Sequence, residues 1–250
     1  MKLGAQLYSV RNRTQTAEEL RATFAEMKKI GYDVVQLSAI GPIDAETIKG
    51  FVEEYSLPVT CTHQSFANIV DFTEDTIKAH KTYGCPVIGL GSMPVEYRGS
   101  LEGVSEFVKR IAEPMKKIEA EGLKFAYHNH AFEFESFGGR TIYDYLIEEV
   151  PALNFILDTY WVKYGGYDYI EYIKKIGSAR MTNVHFKDMK SEPKGYICPC
   201  GTGVIDFKPV ITLCDSLGIP YALVEQDNAP QLGDSWEQMK ISHDNLRPLF

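Results

Sequence analysis

Short apolar segments alternate with longer amphipathic segments along the whole chain. Eight of the short segments are rich in β-branched, leucine and aromatic residues and are bounded by polar turns, which is typical of strands. The predicted strands are Lys2–Ser9, Val34–Leu37, Val59–Thr62, Val87–Leu90, Leu123–Asn129, Asn154–Leu157, Met181–Phe186 and Tyr221–Val224. Because strands alternate with helical segments, we expect parallel pairing through right-handed crossovers.

The segment Ala17–Ile30 illustrates the helical pattern. Thr16 and Glu19 before and within it have the spacing of a capping box, which satisfies free N–H groups at a helix start. Apolar residues then recur every three or four positions and form one stripe. Glycines follow five of the helical segments, as expected for left-handed C-caps. These glycines are Gly31, Gly84, Gly122, Gly177 and Gly218.

Eight strand–helix units without a long linker predict a single (β/α)8 TIM-barrel domain over residues 1–250. The chain has 250 residues, and about 250 is the usual length of such a barrel. An open doubly wound sheet is the alternative, but it usually has a glycine-rich phosphate loop after its first strand. The corresponding stretch, Tyr8–Arg11, contains no glycine. The longest irregular stretch, about Asp188–Ile205, is typical of a loop that covers a site.

Composition narrows the classes of partner. The formal net charge is −8, and an acidic surface repels phosphate backbones, so we expect no nucleic acid partner. No apolar run approaches the roughly 20 residues of a membrane span, and the first residues alternate like a strand. We therefore expect a cytoplasmic protein without a membrane partner, and a homo-oligomer is compatible with the sequence.

The five cysteines have irregular spacing, which indicates reduced thiols.

Four consecutive predicted strands end at ionisable residues. The fifth ends at His128-Asn129-His130, the sixth at Asp158, the seventh at His185 and the eighth at Glu225. The carboxyl ends of barrel strands meet at one face, so two carboxylates and one or two imidazoles converge. This donor set suits Mn²⁺, Co²⁺, Fe²⁺, Mg²⁺ or Zn²⁺ rather than Ca²⁺. We predict one divalent metal ion there.

A purely structural role is the alternative for each of these residues. Asp158 taken alone is equally consistent with a cap at the end of a strand. Four such endings on successive strands are harder to explain in this way. Buried together without a cation, Asp158 and Glu225 would repel each other, and one of them would become protonated. The set therefore favours a metal site.

Further polar and aromatic residues lie at or near strand ends. His63 ends the third strand and is a candidate contact for a substrate hydroxyl. Gln6 and Tyr8 share one face of the first strand and are candidates to line the pocket. Lys187 lies on the same side of an extended chain as His185 and is a candidate to bind an oxyanion or a hydroxyl.

Aromatic residues after strand ends are candidates to stack on a sugar ring, although core packing explains them equally well. They are Phe66, Phe132 and Trp161. For Glu133, a role in ordering the loop and a contact with substrate are equally compatible. His80 and His243 fall on predicted helices, and we expect them at the surface.

These motifs resemble the xylose isomerase-like superfamily of sugar isomerases, epimerases and lyases over nearly the whole chain. The similar segments are Tyr127–His130 with Phe132–Phe134, Leu157–Trp161, His185–Asp188, Gly201–Asp206 and Val224–Asp227. The resemblance implies a metal held by one residue from each of strands five to eight. Carried over to this chain, the ligands are His128, Asp158, His185 and Glu225, with Mn²⁺ as the first choice of metal.

Two departures from the family pattern are informative. Many epimerases of the family have Glu-Asn-His at the end of strand five, whereas this chain has His128-Asn129-His130. A two-glutamate acid/base pair is therefore not implied, and the sequence is similar here to inosose dehydratase and to proteins that act on 3-keto-glycosides. The apurinic endonuclease branch has a histidine three residues after the strand-six aspartate, where this chain has Trp161.

Three hypotheses follow for the activity. The first is a metal-dependent isomerase or epimerase of a keto-sugar, in which Glu225 transfers the α-proton through an enediolate and His128 binds the metal or acts as the opposing acid/base. The second is a dehydratase or 3-keto-glycoside eliminase, in which His130, His63 or Lys187 protonates the leaving group. The third is a sugar-binding barrel without catalysis. All three have a carbohydrate as the ligand.

Overall fold

The computed structural model describes residues 1–250 and contains a closed barrel of eight parallel strands. The strands are β1 (Lys2–Gln6), β2 (Val34–Ser38), β3 (Val59–Gln64), β4 (Val87–Leu90), β5 (Lys124–His128), β6 (Asn154–Asp158), β7 (Met181–Phe186) and β8 (Tyr221–Val224). Consecutive strands pair side by side, and β8 closes the barrel by pairing with β1 from Lys2 opposite Tyr221. The predicted (β/α)8 fold is confirmed.

Helices connect the strands and form the outer layer. They are α1 (Ala17–Ile30), α2 (Ala45–Tyr55), α3 (Phe66–Val70), α4 (Thr73–Thr82), α5 (Leu101–Ala120), α6 (Ile142–Glu149), α7 (Thr159–Tyr164), α8 (Tyr169–Ile176), α9 (Phe207–Leu217) and α10 (Ser235–Leu246). None of them combines the length and the apolar character needed to cross a membrane. Two short antiparallel pairs are added, Ser136–Phe137 with Arg140–Thr141 and Asp188–Met189 with Ile197–Cys198.

Local sequence signals place the ends of these elements. At the start of α1, Glu19 donates its N–H to Thr16 Oγ1 (3.2 Å) and Thr16 donates its N–H to Glu19 Oε2 (3.1 Å), which confirms the capping box. Gly31 ends α1 with φ of 114°, a conformation that favours glycine. The first strand is shorter than predicted. It ends at Gln6, whose side chain accepts the N–H of Tyr8 (3.1 Å) and starts a 3₁₀ helix instead.

Two apolar layers stabilise the barrel. The larger one lies between the strands and the helices. The smaller one is formed by residues of different strands that face the barrel interior. Its members are Val34, Cys61, Val87, Ala126, Ile156 and Leu223. Gly4 contributes no side chain to this layer because a Cβ atom there would lie 2.5 Å from Leu223 and 2.6 Å from Val34. All five cysteines are buried and free.

The interior layer also positions the polar end of the barrel. Side chains on a strand alternate between two faces, so the residue two positions after an interior residue is interior as well. His128 follows Ala126 in this way, Asp158 follows Ile156, and Glu225 follows Leu223. The period of the strands therefore directs these three side chains toward the carboxyl-end mouth of the barrel.

The prediction that His80 and His243 lie at the surface is wrong. His80 is fully buried on the inner face of α4, where Nε2 lies 2.8 Å from Thr62 Oγ1 and Nδ1 lies 2.7 Å from the carbonyl oxygen of Thr76. Burial lowers the pKa of His80 to about 4. His243 is 7% exposed and packs edge-on against Tyr32. Both are core residues, and the imidazole of His80 is neutral there.

The long loop after β7 is ordered by one carboxylate. Asp188 accepts backbone N–H groups from four residues, at distances of 2.8 to 3.0 Å. These residues are Met189, Gly201, Gly203 and Ile205. The loop packs on α7, where the Tyr160 hydroxyl donates to the carbonyl of Gly195 (2.9 Å). Contrary to the expectation for this stretch, it does not line the pocket described below.

Candidate metal centre and catalytic pocket

The four predicted metal ligands converge at the carboxyl ends of β5 to β8. Each of His128, Asp158, His185 and Glu225 offers one ligand atom, and these atoms all lie within 4.8 Å of one another. All four residues are buried. His130, the other histidine at the end of β5, is not part of this group. The structure therefore brings together the set that the family resemblance implied, with His128 rather than His130 from β5.

Hydrogen bonds set which nitrogen of each histidine faces the cluster. His128 Nδ1 lies 3.1 Å from the carbonyl oxygen of Gly91, which can only accept, so Nδ1 holds the proton and Nε2 is free. His185 Nε2 lies 2.8 Å from Gln36 Oε1 on the outer side, and this contact turns Nδ1 toward the cluster. The atoms that face the cluster, His128 Nε2 and His185 Nδ1, lie 3.9 and 3.0 Å from Glu225 Oε2.

The two oxygens of Asp158 have different roles. Oδ1 caps α7 by accepting the N–H groups of Tyr160 (2.8 Å) and Trp161 (3.1 Å). Oδ2 points to the cluster and lies 3.4 Å from His128 Nε2. The backbone N–H of Asp158 is in turn held by Asn129 Oδ1 (2.9 Å). Asp158 is thus both a helix cap and a candidate ligand, and the cap fixes the direction of the free oxygen.

Lys187 enters the same cluster from β7. Its ammonium group lies 2.9 Å from Glu225 Oε2, 3.2 Å from Asp158 Oδ2 and 3.0 Å from Asp227 Oδ1. The side chain is almost fully buried, and its charge also lies 5.2 Å from the ring centre of Trp161. A buried ammonium is expected to have charged partners of this kind. Lys187 therefore contacts two carboxylate oxygens, Asp158 Oδ2 and Glu225 Oε2, that are also candidate metal ligands.

Burial and charge shift the pKa values of these groups in different directions. Burial alone would raise the pKa of Glu225, but the nearby Lys187 and His185 hold it well below its usual value. Burial raises the pKa of Asp158, and the negative charge of Glu225 adds to the shift. Burial would lower the pKa of Lys187, but the three carboxylates hold it well above its usual value. Glu225 therefore ionises more readily than Asp158, because it has the closer contact with the ammonium.

The donor set fits a divalent cation. Burial lowers the pKa of His128 well below its ordinary value, so the imidazole is neutral and has a free electron pair. Three ionised carboxylates and one ammonium would leave a formal charge of −2 in the buried cluster. Uncompensated buried charge is unfavourable, and a divalent cation would balance it. Imidazole nitrogens with carboxylate oxygens suit Mn²⁺, Fe²⁺, Co²⁺ and Zn²⁺.

A pocket of about 370 Å³ opens directly above this cluster. Its lining includes several of the residues predicted to bind substrate or to act in catalysis, together with the predicted aromatic residue Phe66. These residues are His63, Phe66, His128, His130, Lys187 and Glu225. Tyr8 and Asp227 line it as well. The size is within the usual range of small-molecule sites.

Gln6 lies one layer behind the pocket wall. Its amide group donates to Ser38 Oγ (2.9 Å) and lies 3.3 Å from His63 Nδ1. Gln6 is fully buried, so the structure places it as a support for His63 rather than at the pocket surface. His63 Nε2 is buried and has no hydrogen-bond partner in the protein.

His130 and Trp161 form a second wall near the cluster. Their ring centres lie 5.2 Å apart, and the ring of Phe132 is nearly parallel to that of His130, with 6.2 Å between the ring centres. Trp161 does not line the pocket itself. His130 Nδ1 and Trp161 Nε1 are buried without a partner in the protein. Unpaired polar atoms of this kind are unfavourable unless a ligand or water satisfies them.

Glu133 orders the segment that carries His130. Its carboxylate accepts the Tyr127 hydroxyl (2.5 Å) and the backbone N–H of His130 (2.7 Å). Glu133 is fully buried, and burial raises its pKa to about 7. Of the two roles considered from the sequence, the structure places Glu133 in the loop-ordering one.

Sequence reasoning did not assign roles to Gln36 and Asp227. Gln36 lies in the middle of β2 and binds His185 across the barrel, which no local pattern indicates. Asp227 lies two positions after Glu225, and this period-two spacing is the signal that would have found it. Arg11 supports Asp227 by donating to its carbonyl oxygen (3.0 Å).

Solved structures with similar folds cover nearly the whole chain. A sugar phosphate isomerase/epimerase from Parabacteroides distasonis has 23% identity and a TM-score of 0.79, covering 99% of this chain and 98% of that chain. The IolI protein with a bound zinc atom has 16% identity and a TM-score of 0.77, covering 100% and 98%. The probable 3-DHS dehydratase AsbF from Bacillus anthracis has 15% identity and a TM-score of 0.76, covering 99% of both chains.

Sequence comparison gives two results. No curated protein matches the sequence significantly. The model of the xylose isomerase-like TIM barrel matches residues 24–241, so the match extends from α1 into α10 and contains seven of the eight strands. This confirms the resemblance drawn from the strand-end motifs: the chain belongs to the xylose isomerase-like TIM barrel family.

Proposed function

We propose that this protein is a divalent-metal-dependent isomerase or epimerase that acts on a keto-sugar or a sugar derivative. The observation that carries the proposal is the buried group of four convergent ligand atoms beneath a polar pocket. The proposed ligands are His128, Asp158, His185 and Glu225, with Mn²⁺ as the first choice. A bound divalent cation would supply Lewis-acid stabilisation of negative charge on a substrate oxygen.

Glu225 is the proposed base. It lines the pocket, and its low pKa keeps it ionised and able to accept a proton from the carbon beside a carbonyl group. Removal of that proton forms an enediolate, and its return to the other carbon or the other face completes isomerisation or epimerisation. Lys187 lies 2.9 Å from Glu225 Oε2 and provides a fixed positive charge at the place where the oxyanion develops.

The pocket contains unpaired polar atoms that suit a hydroxylated ligand. His63 Nε2 and His130 Nδ1 are buried without partners, on two residues that both line the pocket. Burial lowers the pKa of each imidazole well below its usual value, so both are neutral and offer one donor or acceptor position. Sugar hydroxyl groups both donate and accept, so they match neutral histidines in either tautomer.

Similar structures support a sugar-modifying enzyme. The Parabacteroides distasonis protein is described as a sugar phosphate isomerase/epimerase, and the IolI structure contains a zinc atom. Both have less than 25% identity to this chain, so they support the proposal by analogy of fold.

Deuterium exchange tests the proposal. The wild-type chain loaded with Mn²⁺ is incubated with a panel of ketoses in D₂O, and NMR follows exchange at the carbon beside the carbonyl and formation of stereoisomers. We expect exchange in the wild-type protein and a loss of about 100-fold or more in Glu225→Gln. The control Glu135→Gln removes an exposed carboxylate outside the pocket and leaves the rate unchanged. The proposal is wrong if no ketose exchanges in the wild-type protein.

Elimination is the second candidate. Two observations favour it. One of the similar structures is that of a probable dehydratase. The pocket wall also includes three possible proton donors, His63, His130 and Lys187. Any of these groups would protonate a leaving group β to the enolate. Incubation with inosose or 3-keto-glucosides and detection of an unsaturated product distinguish it from isomerisation. Ligand binding without turnover in either wild type or Glu225→Gln would instead indicate a non-catalytic sugar-binding barrel.

A further inference from the structure

Gln6, Ser38 and His63 form a hydrogen-bond network across three neighbouring strands. Gln6 is the last residue of β1, Ser38 is the last residue of β2, and Ser38 pairs with His63 in β3. Gln6 Nε2 lies 2.9 Å from Ser38 Oγ and 3.3 Å from His63 Nδ1. The ring centre of His63 lies 4.9 Å from that of His128 and 5.4 Å from that of His185. The network therefore holds His63 beside the proposed metal centre, from strands that supply no ligand to it.

The backbone determines the orientation of the Gln6 amide. Gln6 Oε1 accepts the N–H of Tyr8 (3.1 Å). A backbone N–H can only donate, so the amide atom that faces it has to be the oxygen. The NH₂ group of Gln6 therefore faces Ser38 and His63. Gln6 is fully buried, and a reversed amide would place a donor against the N–H of Tyr8, which is unfavourable.

This orientation determines the tautomer of His63. Gln6 Nε2 offers only hydrogen atoms, so His63 Nδ1 has to accept with its electron pair. The proton of the neutral imidazole is then on Nε2. His63 Nε2 is buried without a partner in the protein, and His63 lines the catalytic pocket. The network thus leaves one N–H donor that a ligand or water has to satisfy.

Close packing holds the Nδ1 edge of the His63 ring in place. A Cβ atom at Gly91 would lie 3.1 Å from His63 Nδ1 and 3.2 Å from Cγ, which is closer than an ordinary van der Waals contact. Glycine therefore lets the backbone after β4 approach the ring. The carbonyl oxygen of Gly91 also lies 3.1 Å from His128 Nδ1. One residue thus positions the ring of His63 and the ring of a proposed metal ligand.

We infer that Gln6 fixes His63 as a hydrogen-bond donor to an oxygen atom of the substrate. This inference rests on the proposed function and assigns a role within it. Glu225 takes the proton beside the carbonyl group, the electron pair moves toward the carbonyl oxygen, and the N–H of His63 donates to that oxygen. A fixed donor at the place where negative charge develops stabilises the transition state.

The same proton excludes two other roles for His63. A nitrogen that already carries a proton does not accept one from the substrate, so His63 is not the base. It also has no electron pair for a metal ion, although its ring lies close to His128 and His185. His63 is therefore a catalytic residue that donates, and Gln6 is a positioning residue that acts through it.

Nitrogen NMR of the chain labelled with ¹⁵N-histidine tests the tautomer without a substrate. Protonated and unprotonated ring nitrogens have well-separated chemical shifts, and His63→Gln identifies the signals of His63. The metal-free chain and the chain loaded with Zn²⁺, which is diamagnetic, are measured above neutral pH. We expect a protonated Nε2 and an unprotonated Nδ1 in both samples. A proton on Nδ1, in part or in full, or loss of the Nε2 proton on addition of Zn²⁺, overturns the inference.

Gln6→Glu tests the role of Gln6. The carboxylate still accepts the N–H of Tyr8 but has no hydrogen atom for His63, so we expect Nδ1 of His63 to become protonated. The matched control Gln64→Glu makes the same change at the next residue after His63, where the side chain binds Asn68 (3.0 Å), and it leaves Nδ1 unprotonated. If Gln6→Glu does not fold, Gln6→Met removes the donor and has to give a mixture of both tautomers. An unchanged His63 spectrum in the Gln6 variant overturns the inference.

Deuterium exchange connects the tautomer to catalysis. With a ketose that the wild type exchanges, we expect His63→Leu to lower the exchange rate about 100-fold, because one donor to the oxyanion is lost. His63→Gln retains an N–H donor, and we expect it to be at least about tenfold faster than His63→Leu. Equal rates in wild type and His63→Leu, or equal losses in the two variants, overturn the inference and leave the isomerase intact. A proton that Gln6→Glu moves to Nδ1, in a protein that exchanges no ketose, would support the role of Gln6 and contradict the isomerase.

Discussion

At the scale of single residues, the site is determined by which atoms are already engaged. Gly91 and Gln36 occupy one nitrogen each of His128 and His185, and the α7 backbone occupies one oxygen of Asp158. The other nitrogen of each histidine and the second oxygen of Asp158 therefore face the cluster. Such outer partners orient metal ligands and fix the tautomer of a histidine.

Lys187 gives the first prediction at this scale. Its ammonium contacts the same oxygens of Asp158 and Glu225 that face the proposed metal position. Replacing it in Lys187→Met removes a competing positive charge, so we expect Mn²⁺ to bind at least about tenfold more tightly by calorimetry. Without metal, we expect the free energy of unfolding to fall by about 3 kcal/mol or more, because buried carboxylates lose their partner.

The matched control is Lys190→Met, which removes a half-exposed lysine three residues further along the chain. It leaves Mn²⁺ affinity within about twofold, since it does not contact the cluster. Weaker Mn²⁺ binding in Lys187→Met than in wild type would show that Lys187 supports the metal rather than competing with it.

Glu133 gives a prediction about pH. Its pKa is raised to about 7 by burial, from an ordinary value of 4.5. The folded state therefore holds this proton where the unfolded state has lost it, so the contribution of Glu133 to stability decreases as pH rises from about 4.5 to about 7. Over this pH range, the contribution of Glu133 to the free energy of unfolding changes by about 3 kcal/mol, by linkage between protonation and folding. In Glu133→Gln, which is neutral and retains one donor and one acceptor, we expect this change to be absent.

Urea unfolding at pH 5 and pH 8 measures the effect. The wild type should lose stability between pH 5 and pH 8 relative to Glu133→Gln. Parallel pH profiles of the two proteins would mean that Glu133 is ionised throughout, with its charge stabilised by Tyr127 and the N–H of His130.

At the scale of elements, the period of the strands and the positions of their ends determine which side chains enter the site. The same alternation that directs Ala126 and Ile156 into the barrel directs His128 and Asp158 into the site two residues later. The predicted bounds of β7 agree with the structure, whereas β1 ends three residues early because the Gln6 side chain caps a 3₁₀ helix. Side-chain bonds of this kind are not part of a hydrophobic pattern.

The loop after β7 gives the prediction at this scale. Both oxygens of Asp188 accept two backbone N–H groups each. In Asp188→Asn, the amide NH₂ faces two donors, so we expect a loss of about 2 kcal/mol in the stability of the loop. Limited proteolysis between residues 190 and 200 should accelerate about tenfold or more. Glu192→Gln in the same loop is exposed and serves as the control; equal cleavage rates in both variants would contradict the role of Asp188.

At the scale of the whole molecule, the proposed metal connects four strands that are distant in sequence. His128 and Glu225 belong to β5 and the end of β8, and a ligand held by all four residues is bound only by the closed barrel. Binding to the folded state alone stabilises it by mass action. The metal is therefore expected to act on global stability as well as on the site.

Thermal melting measures this coupling. At a Mn²⁺ concentration about 100-fold above Kd, the free energy of unfolding increases by about 2.7 kcal/mol. For a chain of this size, this corresponds to an increase in Tm of roughly 5–10 °C. We expect the increase to disappear with EDTA and in Asp158→Asn, where a neutral amide replaces the carboxylate. An increase of the same size in Asp158→Asn would mean that the ion binds elsewhere.

The sequence alone determined the barrel, the family and the four residues of the candidate metal centre. Periodicity is a local property, and the meeting of strand ends at one face follows from parallel closure. The tertiary structure alone decided that Lys187 lies among three carboxylates and that Gln36 orients His185. These relations depend on distances across the barrel between residues far apart in the chain, and no local pattern encodes such distances.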